Sequence, residues 1–279
     1  MAVAIVTDST AYLPDDLVEQ HGIRVVPVRV VIGGVSYDED VGVTSAEVAE
    51  ALRQWRPVST SRPSPAAFLE AYAAAAEAGA DGVVSVHLSG EMSGTVSSAE
   101  TAAKESAIPV RVVDSRSIGM APGFAALTGA EVAAAGGGLD DVERAVEERA
   151  ATTSAFFYVD TLEYLRRGGR IGAAAAFVGS ALAVKPLLHL VDGRIAPLEK
   201  VRTASRALAR LEELAVERAG DLEVDVAVQH LATPARAEQL AAQLAPRLPG
   251  LRRLVVGEVG AVVGAHVGPG MLAVAVAPV

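Results

Sequence analysis

Cysteine is absent from this 279-residue chain. That absence removes disulfides, thiolate catalysis and Cys-ligated metals together, and it fits a reducing compartment. An excess of positive charge is missing too. Lys and Arg number 24 against 34 Asp and Glu, a net charge of −10, whereas binding to a phosphate backbone by counterion release needs clustered cations. No nucleic-acid partner is expected. Long apolar runs are also lacking, because the alanine-rich stretches are broken by charges or glycines. The opening MAVAIVTDST has no basic region ahead of its short, strand-like apolar run. The chain therefore reads as a soluble cytoplasmic protein with no signal peptide and no integral membrane segment. His21, His87, His189 and His230 show no paired ligand spacing, so no metal site is expected.

What is present is apolar sequence, 51% of residues, enough for two cores, in a chain longer than one compact domain usually is. Residues 2–6 read as a β-branched strand, followed by a polar turn and a helix that Pro14 opens. Residues 23–32 read as one longer strand, which Gly33-Gly34 turns into a hairpin with residues 35–37. Helices over 45–54 and 65–78 precede a strand over 82–87, a helix running toward Glu105 and a strand over 110–113. This alternation predicts a mostly parallel, doubly wound sheet. Glycines at 136–138 separate two helices, the second ending near Thr152. A strand over 154–159 and a hairpin around Asp192-Gly193 follow. Beyond them come helices over 205–218 and 234–244 and strands over 223–229, 251–256 and 272–276. The expectation is an α/β fold of two domains. Residues 1–152 form the first, with a hairpin excursion near 25–60, and residues 153–279 form a mixed α/β second.

Chemistry is to be sought in the polar loops. TDST, residues 7–10, follows the first strand, where open parallel sheets place a binding crevice. Asp8 there reads either as a phosphotransfer nucleophile or, with more weight, as an Asx turn capping the loop. LSGEMSGTVSSA, residues 88–99, lies between a strand and a helix. It has no Lys beside Gly94-Thr95, as a nucleotide loop needs, and Ser93 is out of register for a nucleophile elbow. What remains is a helix start that holds an anion, or plain N-capping by Ser93 or Thr95. TSRPS, residues 60–64, taken alone is a capping signature, and GAHVGPG, residues 264–270, sets His266 among glycines in a fixed loop. TLEYLRRGGRIG, residues 161–172, has a helical apolar face at Leu162 and Leu165 and ends in a basic corner of Arg166, Arg167 and Arg170.

Taken in order, VTDST, TSRPSP, SGEMSGTVSSA, VVDSRS, TLEYLRRGGRI, KPLLHLVDGRI and GAHVGPG span nearly the whole chain. In that order it closely resembles the DegV family, which includes the FakB fatty-acid-binding subunits of bacterial fatty acid kinase. The resemblance implies two α/β domains with a long-chain fatty acid between them. The ligand is then a carboxylate, held and not transformed. By position, Ser93 and Ser61, with Thr60 beside it, correspond to the carboxylate ligands, and His266 to the same polar end. An ionised carboxylate taken from water needs several donors, which these groups and the helix-start amides around Gly94 and Thr95 supply. No cofactor is implied. The resemblance also implies a FakA-like, ATP-binding kinase partner that phosphorylates the carboxylate, and a place in phospholipid metabolism. The basic corner, joined by Lys200 and Arg202, is then a docking surface for that partner. Two departures stand out: Arg62 where the family often has Gln, and Glu91 beside the carboxylate site. The competing reading is an α/β hydrolase or phosphotransferase using Asp8 or Ser93.

Overall fold

The first β-branched run becomes the strand Val3–Asp8, at the centre of a four-stranded sheet in a computed structural model that describes residues 1–39, 41–177 and 185–279. The strand order is Arg24–Val26, Val3–Asp8, Gly82–His87, Val110–Asp114, and every pair is parallel. All six residues of Gly82–His87 are buried, which is what a parallel sheet covered on both faces requires. On one face Val6, Val26 and Val83 pack with Phe68 and Tyr72 of the helix Pro65–Glu77 and with Ala99 and Ala102 of Thr95–Ala103. On the other, Ile5 approaches Gly129 of Met120–Ala134, against which Leu139–Thr152 also packs. A Cβ at position 129 would fall 2.6 Å from Val146 and 3.1 Å from Ile5, so only glycine allows these layers to close. This is the doubly wound arrangement expected from the alternating elements, and its loops open at the carboxyl ends of the strands.

The long strand expected over 23–32 is two strands, Arg24–Val26 and Arg29–Ile32, because Pro27 has no N–H to give to a ladder. The break is also where the chain leaves one unit for another. Contacts divide it into Met1–Arg29 with Ser61–Thr152, and Val30–Thr60 with Thr153–Val279. The excursion placed with the first domain by sequence thus packs with the second unit. Its three-stranded sheet runs in the order Val35–Asp38, Arg29–Ile32, Val58–Ser61, with Gly33 and Gly34 both at positive φ in the hairpin turn. Its helix Ser45–Arg53 starts with a capping box, Thr44 and Glu47, and packs on the helix Ala261–Val267. The start of Ala261–Val267 is held by the buried Glu39, whose Oε1 accepts from Val262 N at 2.7 Å.

The second unit's main sheet is mixed. Its order is Arg194–Val201, Lys185–Val191, Ser154–Tyr158, Leu272–Pro278, Val224–His230, Leu251–Glu258, antiparallel except for the last pair. The hairpin at Asp192-Gly193 forms as read, with φ of 50° and 78° at the two turn residues. The helices Ala204–Ala219 and Pro234–Leu244 cover one face and bury Leu211, Leu240 and Leu244 against Val226, Val274 and Val276. No helix among the described residues is long and apolar enough to cross a membrane.

Candidate functional site

In the first unit the loop at residues 88–94 is fastened almost residue by residue. Leu88 N donates to Asp8 Oδ2 at 3.0 Å, Ser89 N to Ser117 O at 2.8 Å, and Gly90 N to both Asp114 oxygens at 3.2 Å. Met92 N and Ser93 N then turn back to Ser89 O at 3.0 and 3.1 Å. The product of this bracing is a fixed hydroxyl pair, Ser93 Oγ and Thr95 Oγ1, 2.8 Å apart. Neither caps the helix Thr95–Ala103, contrary to the capping reading: Gly94 is the N-cap residue and no side chain bonds the helix start. The first-turn amides therefore face the same loop as the two hydroxyls. Ser61 and Arg62 are exposed, and the Arg62 side chain lies against Gly94. Glu91 is exposed as well. In TSRPS the capping residue is Ser64, whose Oγ accepts from Ala67 N at 3.3 Å.

Asp8 is spoken for. Oδ1 accepts from Thr10 N at 3.1 Å and from the Thr10 hydroxyl, and Oδ2 accepts from Leu88 N and from His87 Nδ1 at 3.1 Å. The Asx turn is present, and both oxygens are engaged at 1% exposure. His87 Nε2 lies 2.6 Å from Ser85 Oγ, which accepts from Tyr72 OH at 2.9 Å. With Nδ1 the donor to the carboxylate, Nε2 accepts from Ser85 and Ser85 accepts from Tyr72, so every group has a partner. Burial pushes the Tyr72 phenol up to about 12, which keeps it a donor. A serine, a histidine and an aspartate in line resemble a hydrolase triad. Ser85 and His87, however, have 0% exposure, and the serine already holds the tyrosine. Sequence reading missed this group because it tested the histidines only for metal spacing. The available signal was Ser85-x-His87 on a strand, whose period of two puts both side chains on Asp8's face.

In the second unit His266 stands on the last turn of Ala261–Val267 and not, as expected, in a loop. Its Nε2 is 2.9 Å from Thr60 Oγ1. Its Nδ1 is enclosed with no partner and faces Gly168, where a Cβ would fall 2.0 Å away. Glycine at 168 is required by that approach. Burial, aided by the Arg170 guanidinium, pulls the imidazole down to about 4, so the ring is neutral at pH 7. A proton on Nδ1 would be an orphaned donor, so we assign it to Nε2, which donates to Thr60. The Thr60 hydroxyl hydrogen is then left for another acceptor.

The basic residues divide. Arg166 and Arg167 grip Glu163 at 2.8 and 2.7 Å and hold its carboxyl at about 2, while Arg167 also lies 4.1 Å from the Trp55 ring centroid. Arg170 Nη1 donates to Gly168 O at 2.7 Å. Lys200 lies 4.4 Å from the Phe177 ring centroid, and Arg202 is exposed beyond the hairpin. No cluster of His, Asp and Glu able to hold a metal occurs among the described residues.

Comparison with known proteins agrees in extent. The family model described as an uncharacterised protein of the DegV family matches residues 2–279. A DegV domain-containing protein of Streptomyces coelicolor is 61% identical over 274 residues, covering 98% of each chain. Among solved structures, a DegV family protein from Thermus thermophilus, described by its fatty acid binding, superposes with a TM-score of 0.94 at 35% identity over 100% of both chains. DegV of Bacillus subtilis, described as a fatty acid binding protein, gives 0.91 at 36% identity, also over 100% of both. A match that runs from the second residue to the last, with relatives this close, leaves one conclusion: the chain belongs to the DegV family.

Proposed function

We propose that this protein binds a long-chain fatty acid and holds its carboxylate without transforming it. The observation that carries the reading is the fixed Ser93–Thr95 hydroxyl pair at a helix start that no side chain caps, a donor set suited to an anion, with no base hydrogen-bonded to Ser93 among the described residues. Ser61, Thr60, Gly94 and His266 complete the proposed head-group ligands. Thr60 fits especially well, since its assigned bond from His266 leaves it a hydrogen to donate. The acyl chain supplies affinity: at ~0.8 kcal/mol per buried methylene, a long chain contributes on the order of 10 kcal/mol before ordering costs. The hydrolase or phosphotransferase alternative using Asp8 or Ser93 is poorly served, because the Asp8 oxygens are fully engaged and the Ser93 hydroxyl bonds the Thr95 hydroxyl and, among the described residues, no base.

The finer reading is that the protein is the lipid-binding subunit of a fatty acid kinase system in phospholipid metabolism, working in the cytoplasm. It would present the carboxylate to an ATP-dependent partner that docks on Arg170 and Arg202, with Arg166, Arg167 and Lys200 nearby in sequence. Mass spectrometry of lipid extracted from the purified protein tests the primary reading. A fatty acid at near one equivalent is the expected result. Lipid-free protein that binds no added fatty acid, or that turns over acyl esters or phosphoesters, would reject it.

A further inference from the structure

Arg62 has no place in the hydrogen-bond scheme that holds the fold. It is exposed, and among the described residues no carboxylate pairs with it. Its side chain is nevertheless closely placed: a Cβ built on Gly94 would fall 2.5 Å from Arg62 Nη1, 2.8 Å from Cδ and 3.3 Å from Cζ. The backbone at Gly94, with φ of −77°, is one that any residue adopts. What glycine provides there is room for the guanidinium. On either side of it stand Ser93 and Thr95, whose oxygens are 2.8 Å apart. An unpaired planar cation is thus seated on the one residue that separates two anion-binding hydroxyls.

Charge gives this placement its meaning. Ser61, Thr60, Ser93 and Thr95 are neutral groups, and His266 is neutral at pH 7. Hydroxyls and amides hold a carboxylate, but they also serve an alcohol or an ester, since both accept hydrogen bonds. A guanidinium does not treat these alike, because its fork matches an ionised carboxylate and its charge is permanent. We propose that Arg62 is the charge-sensing residue of the head-group site, making the protein prefer ionised fatty acids over neutral lipids of equal chain length. The proposal rests on the fatty-acid reading above.

The test uses delipidated full-length protein and measures displacement of a fluorescent probe by palmitate and by hexadecanol. It is run at low and high salt for wild type, Arg62→Gln and Arg62→Lys. Arg62→Gln is expected to weaken palmitate about tenfold and to leave hexadecanol unchanged. Arg62→Lys should keep more of the preference, and salt should weaken palmitate more in wild type than in Arg62→Gln. Equal losses for both ligands would reduce Arg62 to a packing residue, and unchanged palmitate affinity would remove it from the site. A wild type that binds both lipids equally overturns the Arg62 proposal alone. A wild type that binds neither overturns the fatty-acid reading, and this proposal with it.

Discussion

His87 and His266 are both brought close to a hydroxyl, yet they are built in opposite ways. His87 ends a central strand of the first unit with Asp8 on one nitrogen and Ser85 on the other. His266 ends a helix of the second unit with Thr60 on one nitrogen and nothing on the other. The first is a closed circuit in which each donor and acceptor is used. The second retains capacity, in the Thr60 hydroxyl that its ring leaves free to donate. Saturation marks a group that holds the fold, and spare capacity marks one that can meet a ligand.

The largest test of that contrast is on the saturated side. Asp8→Ala leaves His87, Leu88 N and Thr10 in the core without their acceptor, and we expect a loss of about 3–5 kcal/mol in urea unfolding. A midpoint like that of wild type would show the circuit to be dispensable. On the unsaturated side, Ser93→Ala and His266→Ala should weaken fatty-acid binding by about 1–3 kcal/mol, and Ser93→Ala should leave the melting temperature nearly unchanged. If His266→Ala melts early and binds normally, the two histidines are of one kind.

Charge reversal sharpens the contrast at the surface. Arg167→Glu breaks the pair with Glu163 and the contact with Trp55, and it should lower stability by about 1 kcal/mol. Arg202→Glu should spare both stability and lipid affinity and slow partner-dependent acyl-phosphate formation about tenfold, an effect that fades with salt. A coupled assay unaffected by Arg202→Glu would remove this residue from the proposed docking surface. The smallest effect is in pH. The folded His266 titrates near 4 against an ordinary 6.5, so the unfolded chain takes up the proton first. Stability is therefore lost as pH falls from about 6.5 through about 4, and His266→Ala should flatten that slope. By NMR, a fatty acid should move the His266 midpoint upward, since a nearby anion favours imidazolium. A midpoint that stays near 4 with ligand bound would separate His266 from the carboxylate.

Much of the fold was legible because its signals are local. Asp192-Gly193 and Gly33-Gly34 announce their turns, and the run at 82–87 announces a strand buried on both faces. The errors fall where distant residues decide. GAHVGPG read as a loop from its glycines, but Glu39, far away in sequence, fastens the start of the helix that carries His266. Residues 30–60 read as part of the first domain by proximity, whereas their helix and Glu39 pack on residues near the end of the chain. At the site, sequence order and resemblance picked out Ser93, Ser61 and His266. They could not show that Gly94 gives way to Arg62, or that Asp8 has no free oxygen, since both depend on contacts across turns and strands.

The interleaving of the two units has a consequence during synthesis. The donor for Glu39, the amide of Val262, is made 223 residues later. At about 5–20 residues per second, that is a delay on the order of 10–45 s. Over that interval residues 30–60 emerge from the ribosome with an apolar helix face and no surface to cover it. The first unit, by contrast, has its whole sequence once Thr152 is made. The segment that joins the two halves of the first unit thus waits, long after it is made, for the end of the chain, and it is a stretch a chaperone would meet.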